Sequence, residues 1–269
     1  MEVIHGKKVA RTYGFPTANL KTPCVNEPGI FFGLANGAPS IIYTSARDLF
    51  LVEAHMLNVD VDLYGKTVHI DILCKIRDDK TFTSMDDTLE QIKVDMCIAN
   101  ILAAMINIPH RVALSFSGGK EACILHHCLR MLHVDFDSFH YKKGQQETPP
   151  FVLAYNPTVV HGDMEASVRA LDDTHGTVFL GVRRDDFADR PVVYTSTWLE
   201  KCNVVCPLYD LDYHTIWMII DTLGVKVSDL YAEGYTSVGY NSTPNKLLML
   251  FSGGYKHART FKCVEYERK

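Results

Sequence analysis

The chain has 269 residues, of which 47% are hydrophobic and 22% are charged, and its formal net charge at pH 7 is −5. These values are typical of a globular protein with about two domains, and the acidic balance argues against a general nucleic-acid binder. No apolar run approaches the ~20 residues that span a bilayer, and the N-terminus lacks the apolar core of a secretory signal. The sequence therefore predicts a cytoplasmic protein without a membrane or nucleic-acid partner.

The first hundred residues predict short antiparallel strands. The clearest is Thr67–Ile76, in which apolar residues alternate with mostly polar neighbours, as in a strand with one face on a core. Further strands are predicted at 30–35, 40–44 and 51–57, with Gly and Pro between them. A helix follows, because apolar residues recur at steps of three and four from Leu89 to Leu102. This pattern favours an antiparallel barrel or sandwich.

Pro109 cannot continue that helix, and the pattern changes after it. The predicted elements are a strand at 112–116, a helix over 122–132, a strand at 151–155, a helix near 164–171 and a strand at 177–182. This alternation predicts an α/β fold with a mostly parallel sheet. The predicted domains are therefore 1–106 and 110–269, with the polar stretch 142–150 as a surface loop.

The stretch Ser117-Gly118-Gly119-Lys120 stands where the strand at 112–116 meets the next helix. Two glycines let the backbone come close to a ligand, and a helix N-terminus with a lysine attracts an anion. The residues alone leave two alternatives open, a tight turn or a cradle for nucleotide phosphates.

The same loop resembles the pyrophosphatase-loop family, in which SGG is followed by a variable residue and an acidic one, here Lys120 and Glu121. With FLGVRRDD at 179–186 and the Pro207–Gly239 segment, it is more specifically similar to the eukaryotic-type FAD synthetases, FMN adenylyltransferases related to PAPS reductase. The resemblance assigns the ATP phosphates to Ser117, Gly118, Gly119, Lys120, Arg183 and Arg184. It assigns flavin contacts to Tyr235 and to Arg259 or Arg268, and a charged, solvated tail is the alternative for these two arginines.

The resemblance also gives Asp186 a catalytic role, either holding magnesium or orienting the reacting phosphates. Judged from the residue types alone, Asp186 is also compatible with a solvated loop carboxylate. Arg183 and Arg184 are likewise compatible with surface salt bridges, although a guanidinium suits a forked grip on phosphate.

The stretch GFPTANL, at 14–20, places two side-chain oxygens two residues apart. On an extended chain Thr17 and Asn19 face the same way, and such oxygens suit Mg²⁺, with a capped turn as the alternative. PTAN at 16–19, VEAHML at 52–57 and KIRDDKTF at 75–82 resemble the riboflavin kinases. The resemblance implies that Glu53 is the catalytic base, that Thr17 and Asn19 hold Mg²⁺, and that Lys8 and Arg11 grip phosphate. A paired strand carboxylate is the alternative for Glu53.

The two resemblances imply consecutive reactions, riboflavin to FMN and then FMN to FAD, with ATP as co-substrate and release of pyrophosphate in the second. Two alternatives stay open. One half alone is active and the other is a flavin or nucleotide sensor, or the chain is a sulfonucleotide-reductase-like enzyme. The latter requires a reactive C-terminal cysteine in its own motif, which the surroundings of Cys263 do not resemble.

Overall fold

The protein divides into two compact units, Met1–Ala103 and Ala104–Lys269. The computed structural model describes residues 2–4, 14–21, 27–45, 48–59, 61, 63–108, 111–142, 144, 147–162, 168–172, 174–184, 201–233, 235 and 237–238. Within these ranges, no helix has the length and apolar character needed to cross a membrane.

The first unit is a six-stranded antiparallel sheet in the order β1-β2-β5-β4-β3-β6. The strands are β1 (Val3–Ile4), β2 (Ala18–Lys21), β3 (Gly29–Ala35), β4 (Ala38–Ser45), β5 (Asp48–Met56) and β6 (Ile70–Arg77). Glu2 bridges Thr67, just ahead of β6, so the two ends of the sheet meet. The predicted antiparallel fold is confirmed, although the last strand begins at Ile70 rather than at Thr67.

Alternation along the strands separates a core face from an outer face. Leu20, Ile42, Val52 and Ala54 are buried in one hydrophobic cluster, whereas the residues between them are half-buried. Strand β3 is buried along nearly its whole length because helix α1 (Met85–Ala103) packs on β3 and β4. The outer face near β2 and β5 therefore keeps its polar side chains within reach of solvent.

The second unit contains a parallel sheet in the order β11-β10-β7-β8-β9. Its strands are β7 (Val112–Ser115), β8 (Phe136–Lys142), β9 (Thr158–His161), β10 (Thr177–Leu180) and β11 (Asn203–Val205). Its described helices are α2 (Lys120–Met131), α3 (Pro150–Leu153), α4 (Tyr213–Leu223) and a 3-10 turn at Asp229–Tyr231. Strand β10 is buried at every position, as expected for a central parallel strand. The predicted α/β fold with a parallel sheet is confirmed.

Several predicted elements differ from the structure. The strand predicted at 151–155 is wrong, because the chain forms helix α3, with Pro150 at its first position. Proline favours a helix start, and a short apolar run does not by its period tell a strand from a helix. Strands β8 and β9 were not predicted, since Phe136–Lys142 is half-buried throughout and carries polar side chains. The first half of the helix predicted near 164–171 lies outside the described residues, which resume at residue 168.

Candidate functional sites

Three polar residues form a row across the outer face of the first sheet. Glu53 of β5 lies directly opposite Asn19 of β2 on one side and Tyr43 of β4 on the other. Opposed residues in antiparallel strands face the same way, and the flanking Val52 and Ala54 belong to the core. The three side chains, here called the Glu53 row, therefore share the half-buried outer face.

The segment before β2 is attached to this face by two side chains. The Thr17 hydroxyl donates to Glu53 Oε2 at 3.1 Å. His55, two residues beyond Glu53, has its Nδ1 2.7 Å from the carbonyl oxygen of Pro16. Because a carbonyl can only accept, Nδ1 carries the proton and donates. His55 thus holds the Pro16–Thr17 segment in place, and Thr17 orients the Glu53 carboxylate.

The oxygens beside Glu53 fit a magnesium ion. A hydroxyl and a side-chain amide are hard oxygen donors, and Thr17 and Asn19 supply them beside the Glu53 carboxylate. Across the described ranges, no group of three or more His, Cys, Asp or Glu residues is arranged to hold a metal. Magnesium bound by so few protein ligands would complete its coordination with phosphate oxygens and water. Lys8 and Arg11 lie outside the described residues.

Sequence reasoning missed the partner of Tyr43. The Tyr43 hydroxyl lies 3.4 Å from Asp79 Oδ2, in the segment that follows β6. Burial raises the pKa of Tyr43 above its ordinary value, and the nearby charges of Asp79 and Glu53 raise it further, against the lowering effect of a hydrogen bond with Ser45. The residue pattern of β4 did not place Tyr43 on the outer face, because two polar residues occupy the buried face of this strand. No local signal placed Asp79 beside it.

A buried ion pair anchors that segment. The Arg77 guanidinium donates to Asp95 of α1 through Nε at 2.9 Å and Nη2 at 2.7 Å, and both side chains are over 90% buried. Its Nη1 donates to the Asp78 carbonyl at 3.0 Å, and Gln91 adds a hydrogen bond to Asp95 at 3.0 Å. Such a forked, fully hydrogen-bonded pair fixes the position of the Arg77 guanidinium. The backbone at Asp78 is bound to this guanidinium, and Asp79 is the next residue.

In the second unit, the glycine loop lies at the carboxyl end of β7. Gly118 has φ +81°, and a Cβ there would lie 2.5 Å from Val152 Cγ2. A Cβ on Gly119 would lie 2.9 Å from the Val238 carbonyl oxygen. Both positions therefore require glycine. The Gly119 amide donates to Ser117 Oγ at 3.1 Å, which closes the turn.

Two of the predicted phosphate-binding cations converge on Glu121. The Lys120 ammonium lies 2.8 Å from Glu121 Oε1, and Arg183 Nε donates to the same oxygen at 3.0 Å. The Lys120 Nζ also lies 4.7 Å from the Tyr213 ring centre, a cation–π distance. Strands β7 and β10 are parallel neighbours, so their carboxyl ends meet and bring Arg183 to the loop.

The Lys120 side chain is almost fully buried, at 3% exposed, so it is directed into this cluster. Its backbone N–H donates to the Tyr231 hydroxyl at 2.9 Å, and the Val238 N–H donates to the same oxygen at 3.3 Å. Burial, the largest cause, and the nearby Glu121 charge raise the pKa of Tyr231, which therefore stays neutral. The contribution of Lys120 to phosphate binding stays a prediction.

The remaining predicted residues have other partners or lie outside the described residues. Arg184 is largely exposed, pairs with Asp210 and lies 5.3 Å from the ring centre of Tyr209. Tyr235 is half-buried, and its backbone N–H donates to the Leu230 carbonyl at 3.1 Å. Asp186, Arg259 and Arg268 lie outside the described residues. The structure thus brings loop 117–120 and Arg183 together, whereas Arg184 has separate partners.

Comparison with known proteins gives a different match for each part of the chain. Residues 1–103 match the riboflavin kinase family model. Residues 162–246 match the phosphoadenosine phosphosulfate reductase domain model. Both family resemblances predicted from the motifs are therefore confirmed.

Curated relatives are named for the synthesis of flavin cofactors. A probable FAD synthase of Caenorhabditis elegans is 30% identical over 173 residues, which are 55% of this chain and 33% of that protein. A bifunctional riboflavin kinase/FMN adenylyltransferase of Buchnera aphidicola is 31% identical over 112 residues, which are 36% of this chain and 35% of that protein. The chain spans about a third of the length of these relatives.

Among solved structures, the Candida glabrata FMN adenylyltransferase in complex with FMN and the ATP analog AMPCPP is 16% identical. The match covers 63% of this chain and 71% of that chain, with a TM-score of 0.46.

Proposed function

We propose that this protein synthesises FAD in two ATP-dependent steps. The first unit phosphorylates riboflavin to FMN, and the second transfers an adenylyl group from ATP to FMN and releases pyrophosphate. Support comes from the relatives, which are named for one or both activities, and from a distinct polar site in each unit. The acidic net charge of −5 favours small-molecule ligands over nucleic acid.

The Glu53 row is the observation that carries the kinase proposal. An alcohol is a weak nucleophile, so transfer of the ATP γ-phosphoryl group benefits from a base at the ribityl 5′-hydroxyl. Glu53 accepts that proton, the hydroxyl oxygen bonds to the γ-phosphorus, and ADP leaves. The Thr17 hydrogen bond at 3.1 Å orients the carboxylate for this role. Thr17 and Asn19 would hold Mg²⁺, which supplies positive charge to the phosphates.

The second reaction needs positioning more than a base. The FMN phosphate is already ionised, so its oxygen can attack the α-phosphorus of ATP while pyrophosphate leaves. Loop 117–119 lies at the carboxyl end of β7, where parallel sheets bind ligands, and Arg183 lies beside it through Glu121. We assign phosphate contacts to this loop with Lys120, Arg183 and Arg184, and orientation of the reacting phosphates to Asp186. Tyr235, Arg259 and Arg268 are proposed flavin contacts.

Product analysis tests both steps. The full chain is incubated with ATP and magnesium, starting from riboflavin in one reaction and from FMN in the other, and flavins are separated by chromatography. We expect FAD from both. Glu53→Gln should slow the riboflavin reaction by about 10²–10⁴-fold, as for loss of a general base, and leave the FMN reaction unchanged. Glu90→Gln, on the exposed surface of α1, is the matched control.

Each other outcome removes part of the proposal. FAD from FMN alone would contradict a kinase in the first unit, and FMN as the final product would contradict an adenylyltransferase in the second. Flavin binding without any product would favour a sensor.

We also propose a cytoplasmic location, which the buried thiols of Cys123 and Cys202 support because a reducing compartment keeps thiols unpaired. Cell fractionation tests this, and recovery in a secreted fraction would contradict it.

A further inference from the structure

We propose that the Tyr231 hydroxyl is a positioning group that joins the glycine loop of the second unit to the segment that carries Tyr235, and thereby links the binding of ATP to the binding of FMN. This inference rests on the proposed adenylyltransferase activity. It extends that proposal to a side chain to which the sequence resemblance assigns no contact with a substrate.

The Tyr231 oxygen accepts hydrogen bonds from two distant parts of the chain. The backbone nitrogen of Lys120, at the start of α2, lies 2.9 Å from it, and that of Val238 lies 3.3 Å from it. The first N–H groups of a helix have no acceptor within the helix, and Val238 itself lies outside the helices and strands. The phenol therefore supplies an acceptor to two backbone donors that regular secondary structure does not satisfy.

Val238 also packs directly on the glycine loop. A Cβ on Gly119 would lie 2.9 Å from the Val238 carbonyl oxygen, so the backbones at these two positions are in contact. Val238 is 8% exposed and Tyr231 is 5% exposed, so the junction is shielded from water. The hydrogen bonds to Tyr231 therefore hold together two backbone segments that already touch.

The 3-10 turn that contains Tyr231 also holds Tyr235, the proposed flavin contact. The Tyr235 N–H donates to the Leu230 carbonyl at 3.1 Å. The Tyr231 ring packs edge-on against Trp217 of α4, with the ring centres 5.3 Å apart, and this contact fixes the turn on the core. One turn is thus bound to the proposed ATP subsite through the Tyr231 hydroxyl and to the proposed flavin subsite through the Leu230 carbonyl.

This arrangement has a consequence for the affinities of the two substrates. A ligand that orders one part of a junction leaves less conformational freedom for the second ligand to lose, so the second ligand binds more tightly. Such an effect is a coupling between two sites, and in binding it is reciprocal. FMN at Tyr235 should therefore raise the affinity for ATP at the glycine loop as long as the Tyr231 hydroxyl joins the two.

Steady-state rates of FAD formation from FMN by the full chain test the link, because only the second unit is proposed to use FMN as a substrate. The KM for ATP is measured at saturating FMN and at FMN far below its own KM. In the wild-type protein, saturating FMN should lower the KM for ATP about fivefold, the effect of one neutral hydrogen bond. In Tyr231→Phe, the two KM values should agree within about twofold, because the link is lost.

Ser228→Ala is the matched control in the same turn. It removes the hydroxyl that accepts a hydrogen bond from the Leu230 N–H at 3.4 Å, keeps the Tyr231 hydroxyl and should preserve the response to FMN. A wild-type response in Tyr231→Phe, with or without a lower kcat, would mean a merely structural role and would overturn the inference. Loss of the response in both variants would assign it to the stability of the turn and would also overturn the role of the hydroxyl.

Hydrogen exchange of the wild-type protein gives a second measurement that does not depend on the folding of a variant. FMN alone should slow exchange in the peptide that contains the Lys120 amide as well as in the peptide that contains Tyr235. Protection confined to the Tyr235 peptide would contradict the link.

The same reactions separate this inference from the proposed function. A wild-type protein that forms no FAD from FMN would overturn the proposed adenylyltransferase activity and this inference with it. FAD formation with a KM for ATP that does not depend on FMN would overturn the inference alone.

Discussion

At the scale of single residues, Glu121 organises the charge of the second site. Its carboxylate contacts the Lys120 ammonium and the Arg183 guanidinium, and all three side chains are less than 15% exposed. Buried cations are costly without a compensating anion. Glu121 therefore has a structural task that is independent of any substrate.

Replacing Glu121 with Gln leaves two buried cations without this carboxylate. We expect the free energy of unfolding to fall by about 3–5 kcal/mol, the usual result of removing one partner of a buried ion pair. Urea unfolding followed by tryptophan fluorescence measures it, because both tryptophans, Trp198 and Trp217, belong to the second unit. Asp210→Asn, at the exposed pair with Arg184, is the control and should cost at most about 1 kcal/mol. Equal effects of both substitutions would contradict the role of Glu121.

His126 makes the second unit sensitive to mild acid. Its ring packs edge-on against Phe116, Phe136 and Tyr155. Burial, the largest cause, together with the charges of Arg130 and His127, lowers its pKa to about 4. Between that value and the unfolded pKa near 6.5, the unfolded chain binds a proton that the folded chain does not. Stability is therefore complete above about pH 6.5 and decreases as the pH falls towards about 4.

We expect the unfolding free energy of the second unit to fall between pH 6.5 and 4.5, by less than about 1.4 kcal/mol per pH unit from this group. His126→Gln should reduce that slope. His161→Gln, on an exposed position of β9, should preserve it. Urea unfolding at several pH values measures the slope, and an unchanged slope in His126→Gln would contradict the assignment.

At the scale of elements, the β7–α2 connection depends on the geometry of Gly118. Two separate constraints act there, a positive φ and contact with Val152 of α3. Gly224, which ends α4, has a positive φ of +64° but no atom within 4 Å of the position of a Cβ. A comparison of substitutions at the two glycines therefore distinguishes the cost of backbone strain from the cost of steric contact.

Gly224→Ala should cost about 1–2 kcal/mol of unfolding free energy, the strain of an L-residue at positive φ. Gly118→Ala should cost about 1–3 kcal/mol more because its Cβ would overlap Val152. It should also reduce FAD formation from FMN, which Gly224→Ala should spare. Urea unfolding and the FMN reaction measure both effects. Similar losses in the two variants would show that steric contact contributes nothing.

At the scale of the whole molecule, each unit has a hydrophobic core of its own. One core includes Ile42 and Val52, and the other includes Val178 and Leu180. Each unit is also a single uninterrupted stretch of chain. A defect in one core is therefore expected to act on one unit.

Ile42→Ala and Leu180→Ala each leave a cavity at a position that is at most 1% exposed, at a cost of about 2–5 kcal/mol. Calorimetry should show two transitions, one lowered by each substitution. Tryptophan fluorescence should follow only the transition that Leu180→Ala lowers. A single transition lowered equally by both would contradict independent cores.

The sequence predicts features that depend on local pattern. The spacing of Thr17 and Asn19 predicted that their side chains face the same way, and the glycine loop was recognised at the end of β7. Features that depend on strand order were not predictable. Tyr43 and Asp79 are 36 residues apart and meet only because β3 pairs with both β4 and β6. The partnership of Glu121 with Arg183 likewise requires β10 beside β7, which no local pattern indicates.

The position of the Glu53 row makes the proposed activity depend on the correct pairing register of β2 and β5. A register slip by one residue between β2 and β5 would turn Glu53 towards the core and Val52 towards solvent. The misfolded sheet would then lose hydrophobic burial and its polar row in the same event. Stable but inactive molecules with such an error should therefore be scarce, because the same alternation of side chains determines both the hydrophobic core and the polar row.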